Sequence, residues 1–236
     1  MELIQLNTVC NFKQWKTIPT KELKDNGFPV FEIVSGTGSN IGDEICLDTE
    51  CFYVISSSDT EITMLAKYSL LVGNRYDAIS GVIPLENATG IQNESVIGWF
   101  SDFGKNNPMI GTIHFSDTNY WNSFENEYPL YIYNENSRLY SYVENYKKYL
   151  EKYKVTINQA RLIKKEELDS LGCDILNKTC LHAPKWVYLD TYWTGTASSN
   201  EEIFIVSIYN TYTDDIFNSD FRGLRPVIVV SKSYFE

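Results

Sequence analysis

The chain has 236 residues, of which 43% are apolar and 22% charged, and its formal net charge is −11. This composition supplies a core for one large domain, or a domain with an appendage, and argues against wholesale disorder. The acidic balance and the absence of a basic patch exclude the usual footprint for nucleic acid or an anionic membrane, and no apolar stretch is long enough to span a bilayer.

The start, "MELIQLNTVC", lacks the basic-then-apolar pattern of a signal peptide. The chain is therefore expected to be either cytosolic or separated from its leader or anchor. "IPTKELKDNGFPVFEIVSG" predicts a short helix capped by Thr20 and stopped at Gly27, then an extended "VFEIV" and the loop "SGTGSN". Residues 1–38 read as a lead-in segment or the end of a preceding domain. The glycine-rich loop lacks the following Lys and the helix of a phosphate-binding loop.

From residue 39 the pattern turns to strands. "EICL", "CFYVIS" and "EITMLAKYSL" are short β-type runs separated by polar turns and predict an antiparallel meander. A long irregular region follows from Val72 to Pro129, with "GTIHF" as a candidate strand. "SRLYSYVENYKKYLEKYKV" is a helix, because Leu139, Val143, Tyr146, Leu150 and Tyr153 recur at helical spacing. "KKEELDSLG" predicts a second helix ended by Gly172, with "ARLI" as strand-like prelude. "WVYL", "EIFIVSIYN" and "LRPVIVV" return to strands. The order of elements is α+β, not alternating α/β.

Cysteines bear on location. There are five, and four form local pairs, Cys46 with Cys51 and Cys173 with Cys180, leaving Cys10. The first pair can face across a hairpin at a separation that a disulfide accepts. Two short bridges imply an extracytoplasmic home; reduced, buried cysteines are the alternative. The spacings fit zinc poorly.

Taken in order, "GDEICLDTECFYVISSSDTEITMLAKYSL", "SYVENYKKYLEKYKVTINQARLIKKEEL", "APKWVYLDTYWTG" and the closing "GLRPVIVV" resemble a bacterial family of C-type lectin-like domains. That family shares its fold with formylglycine-generating enzymes. The resemblance covers residues 39–236 and implies antiparallel sheets, two helices and long irregular loops. Gly223, Arg225 and Pro226 match the Gly-x-Arg-Pro closing strand, and Tyr192, Trp193 and Gly195 match a Tyr-Trp step before a small-residue turn. On the residues themselves, Gly223 suits a tight entry and Pro226 suits a strand start. Arg225 is expected to turn inward and pair with carbonyls or a carboxylate, as a structural fastener.

The catalytic branches leave little to build on. The reactive late cysteine pair is missing, since Cys180 is the last cysteine. The iron-dependent branch uses three histidines, and this chain has two, His114 and His182. The calcium-dependent sugar motifs are absent too; "YWNSF" comes closest, with Ser123 where a carboxylate belongs. No cofactor or metal is therefore expected. The expected role is a non-catalytic binding module, secreted or displayed on a bacterial surface, that serves adhesion to a glycan or protein ligand. The loops before the final strand are the expected ligand face, with Tyr192, Trp193, Tyr209, Asn210, Tyr212, Asp214, Asp215 and Asn218 as candidate contacts. Trp193 is also a candidate core residue. The alternatives are an enzyme of the same fold with a non-standard metal site that includes His114 or His182, and a structural component of a surface filament.

Overall fold

A computed structural model describes residues 20–77, 81–98, 111–115, 131–199, 202–207, 213–217 and 221–235. In chain order these form α1 (Thr20–Asp25), β1 (Phe31–Ser35), β2 (Glu44–Leu47), β3 (Glu50–Ser57), β4 (Glu61–Ala66), β5 (Asn74–Asp77), β6 (Gly81–Pro84) and β7 (Ile113–His114). Then come α2 (Arg138–Glu151), β8 (Ile157–Arg161), α3 (Lys165–Ser170), a 3₁₀ turn (Lys185–Tyr188), β9 (Tyr192–Ala197), β10 (Glu202–Val206), β11 (Thr213–Phe217), β12 (Phe221–Arg222) and β13 (Val227–Ser231). A second 3₁₀ turn, Lys232–Tyr234, closes the described chain. The fold is α+β with antiparallel sheets.

The main sheet has six strands in the order β1-β2-β3-β4-β13-β8. The predicted meander is β2-β3-β4. β13 pairs antiparallel with β4 on one side and β8 on the other. Its residues Val227 to Val230 are buried, as a strand flanked on both sides requires. A three-stranded sheet, β11-β10-β9, and the pairs β12-β7 and β5-β6 complete the β structure.

α2 follows its sequence stripe. Leu139, Val143, Tyr146 and Leu150 are its buried residues, each contributing about 1.5–3 kcal/mol by burial. Tyr153 lies just past the helix, half-buried. The Tyr146 hydroxyl accepts from Gln92 Nε2 at 2.9 Å, and the Gln92 amide donates to Glu50 Oε2 at 3.1 Å. Burial pushes the Glu50 carboxyl up, against the hydrogen bonds from Tyr146 and Gln92.

Several details differ from the sequence reading. Residues 20–38 are built into the same sheet and core: β1 pairs with β2, and Leu23 and Phe31 are buried. The Thr20 hydroxyl does not cap α1; it donates to the Tyr234 carbonyl at 3.0 Å. "WVYL" is a 3₁₀ turn instead of a strand. Gly195 lies within β9, where a Cβ would stand 2.1 Å from the Tyr131 ring, so no turn occurs there. Asp214 and Asp215 were expected on a loop that leaves the sheet; they belong to β11, in register with Ile205 and Phe204.

The "SGTGSN" loop does cradle an anion, and the anion is internal. Oδ2 of Asp43 accepts from the amides of Thr37, Gly38, Ser39 and Asn40 at 2.8–3.1 Å. Burial works to raise the Asp43 pKa, but the hydrogen bonds from Asn40, Thr37 and Gly38 together hold it below the ordinary value.

Candidate functional site

The hairpin β2-β3 turns through Asp48 and Thr49 and places Cys46 opposite Cys51. These two residues form a disulfide, as do Cys173 and Cys180. Both pairings agree with the local pairs read from the sequence. Side chains two apart on a strand share a face, so Cys46 lies on the face of Glu44, and Cys51 on the face of Tyr53. Ile45, Leu47, Phe52 and Val54 point the other way and are fully buried.

On the half-exposed face a row of side chains has formed. The Trp186 ring stacks on the Tyr53 ring, with centroids 4.9 Å apart and planes at 21°. Lys67 Nζ sits 5.9 Å from the Tyr53 centroid and 5.5 Å from that of Tyr68. The same ammonium pairs with Glu44 Oε1 at 2.7 Å. That hydrogen bond raises the Lys67 pKa, so its charge is secure at neutral pH. Burial raises the Tyr53 pKa, and its hydroxyl stays protonated. The result is a ledge of three aromatic rings with one cation and one carboxylate.

What fixes the ledge lies underneath it. Arg225 is fully buried. Its Nε donates to the carbonyl of Ala66, the residue before Lys67, and its Nη1 donates to the carbonyl of Val187, the residue after Trp186, at 3.0 Å. The Tyr192 hydroxyl donates to the same Val187 carbonyl at 2.7 Å, and the guanidinium lies over the Tyr192 ring at 5.2 Å. One guanidinium thus ties the segment that carries Lys67 and Tyr68 to the turn that carries Trp186. The carboxyl of Asp190 is the nearby counter-charge. Burial pushes it up to about 7, against the opposing pull of the Ser69 hydroxyl, Arg225 and the Thr191 amide. Burial also lowers the Arg225 pKa, opposed by Tyr192 and Asp190.

Gly223 allows a close approach and has no unusual φ. A Cβ there would stand 2.8 Å from Gly98 Cα and 2.8 Å from the Thr191 carbonyl oxygen. Pro226 precedes β13 and its carbonyl accepts from the Ala66 amide at 2.8 Å. The closing "GLRP" therefore sets the entry of β13 and the clip beneath the ledge.

Of the expected ligand contacts, Tyr192 and Trp193 are fully buried. The Trp193 indole donates to the Ile113 carbonyl at 2.7 Å and packs edge-on to Phe115, so it is a core residue. Asp214 and Asp215 lie on β11. Tyr209, Asn210, Tyr212 and Asn218 lie outside the described residues, as does "YWNSF". His114 is on β7, with its ring against Phe221, and His182 is on the exposed loop after Cys180. Among the described residues, the one cluster with metal-ligand geometry is Glu44, Cys46 and Cys51. Its two cysteines are oxidised to each other, which leaves no thiolate to bind an ion.

Sequence reasoning missed the ledge residues Glu44, Tyr53, Lys67, Tyr68 and Trp186. One signal was available: Tyr53 interrupts an apolar strand on the face away from the core, and Lys67 directly follows the apolar run that ends β4. No family model, curated protein or solved structure matches the chain.

Proposed function

We propose that this chain is a non-catalytic binding module of C-type lectin-like fold, acting outside the cytoplasm, whose ledge binds a glycan. The observation that carries the reading is the Trp186–Tyr53 stack beside the Lys67–Glu44 pair. Flat aromatic faces match the apolar face of a sugar ring, and a fixed donor and acceptor match its hydroxyls. Tyr and Trp give contact area at low entropic cost. The clip beneath them keeps the ledge formed before the ligand arrives, which lowers the cost of binding. The two disulfides fit an oxidising compartment. Among the described residues no helix is long and apolar enough to cross a membrane.

The test is a glycan array on the purified protein, followed by titration of the best binder. Trp186→Ala should lose roughly tenfold or more in affinity, about 1–2 kcal/mol, with little change in melting temperature. Unchanged affinity for Trp186→Ala and Lys67→Ala together would move the binding site elsewhere and sink this reading.

A further inference from the structure

β1 is an edge strand: among the described residues it pairs with β2 alone. The backbone groups it leaves open follow from the ladder. The two-residue turn at Asp48 and Thr49 makes Leu47 and Glu50 a hydrogen-bonded pair, so Cys46/Cys51 is a non-bonded pair and Ile45/Phe52 is bonded again. Ile45 and Leu47 thus direct their N–H and C=O at β3, while Cys46 and Glu44 direct theirs at β1. Two hydrogen bonds agree: the Glu44 amide donates to Ser35 Oγ, and the Asp43 carbonyl accepts from the Val54 amide. Glu32, opposite Cys46, therefore bonds inward. Phe31 and Ile33 aim their backbone groups outward, and no described backbone group takes them.

Such an edge is a template for another strand unless charge, proline or cover blocks it. β1 has no Lys and no Pro. Its one charge is Glu32, and its one irregularity is the bulge after Ile33. Apolar side chains gather here instead. Ile33 is 42% and Val34 59% exposed, with Phe28 at 36% just before the strand and Ile41 at 56% in the loop to β2. Among the described residues these are half of the large apolar side chains left in solvent.

We propose that β1 is a self-association seam, on which a second copy of this chain pairs its own β1 antiparallel across a two-fold axis through Ile33. The strand is self-complementary in that register. Ile33 meets Ile33, and the two exchange both outward N–H···O bonds. Phe31 meets Ser35, and Glu32 meets Val34, so the carboxylates stay apart. An in-register parallel pairing, or an antiparallel one centred on Glu32, would set Glu32 against Glu32 at a cost. An isologous contact closes on itself, so the product is a dimer with one continuous twelve-stranded sheet and no filament. Because the bulge keeps the paired stretch short, the apolar side chains around it must supply much of the contact. Two chains of net charge −11 also repel, so association should strengthen with added salt.

The experiment is sedimentation equilibrium of the full chain up to about 1 mM, with hydrogen exchange at the Ile33 amide. The wild type should move from 27.2 kDa toward twice that mass, and the Ile33 amide should be protected only in the dimer. Val34→Glu, which faces Glu32 of the second copy, should weaken association at least tenfold. Val34→Lys should tighten it through a cross-strand ion pair. Asn158→Lys, on the opposite sheet edge, should leave it unchanged. A wild type that stays monomeric at 1 mM overturns the proposal. So does a dimer whose Ile33 amide exchanges freely, or one that responds alike to Glu and Lys at position 34.

Discussion

Replacing Arg225 with Met tests the clip most directly, because Met keeps much of the volume and removes all of the charge. The guanidinium gives hydrogen bonds to two buried carbonyls, those of Ala66 and Val187. Each buried acceptor left unpaired costs about 1–3 kcal/mol, although Val187 keeps its bond from Tyr192. Loss of the contact with the Tyr192 ring adds about 1 kcal/mol. Asp190 also loses a counter-charge and should titrate above its present value of about 7; taking up a proton limits that part of the loss. The sum is a destabilisation of about 3–5 kcal/mol, in line with removing one partner of a buried charged pair. Urea unfolding followed by far-UV circular dichroism would measure it. Arg225→Lys should recover only a minority of the loss, since one ammonium cannot span both carbonyls. A loss below about 1 kcal/mol for Arg225→Met would mean that the carbonyls find other partners and that the ledge does not depend on this residue.

Asp190 should make stability pH-dependent. Its folded pKa lies above the ordinary 3.8, so its contribution is fully present below that value and is lost as pH rises through about 7. The span corresponds to about 4 kcal/mol, and unfolding curves of Asp190→Asn against wild type from pH 4 to 8 should differ by a slope of that sign. Asp43 acts in the opposite sense: its pKa is depressed, so stability is lost as pH falls below the ordinary carboxylate range, and Asp43→Asn should flatten the acid limb of a melting-temperature profile. Gly223→Ala should cost about 1–3 kcal/mol by overpacking against Gly98 and Thr191, and a neutral result in thermal unfolding would refute that contact. Denatured, unreduced protein from an oxidising compartment should titrate a single thiol, Cys10, by Ellman's reagent; five thiols would exclude both bridges.

Local signals carried far in this chain. The α2 stripe, the β2-β3-β4 meander and the two cysteine pairs each depend on spacing within a short window, and the structure holds all of them. Arg225 was readable as a buried fastener because an arginine at the head of an apolar strand needs partners. The identity of those partners was not readable. Val187 and Ala66 are far apart in sequence, and their carbonyls carry no side-chain signature. "WVYL" has a composition that suits a strand, yet it winds into a 3₁₀ turn, where the Val187 carbonyl accepts from nearby Tyr192 and from distant Arg225. The ledge was hidden for the same reason, since Tyr53 and Trp186 meet only after the fold has closed. "SGTGSN" was readable only as a loop without the marks of a phosphate site; the carboxylate its amides hold comes from Asp43, just beyond the motif.

The position of β13 has a consequence for the order of folding. β13 inserts between β4 and β8, so until it docks, the β1-β2-β3-β4 strands and the single strand β8 stay unjoined, each with an open edge. The closing contacts are among the most distant in sequence, a topology that folds slowly. A chain held in that state exposes apolar strand edges that invite aggregation. Deleting β13 would remove an interior strand of the main sheet, so it should unfold that sheet and not merely trim its edge.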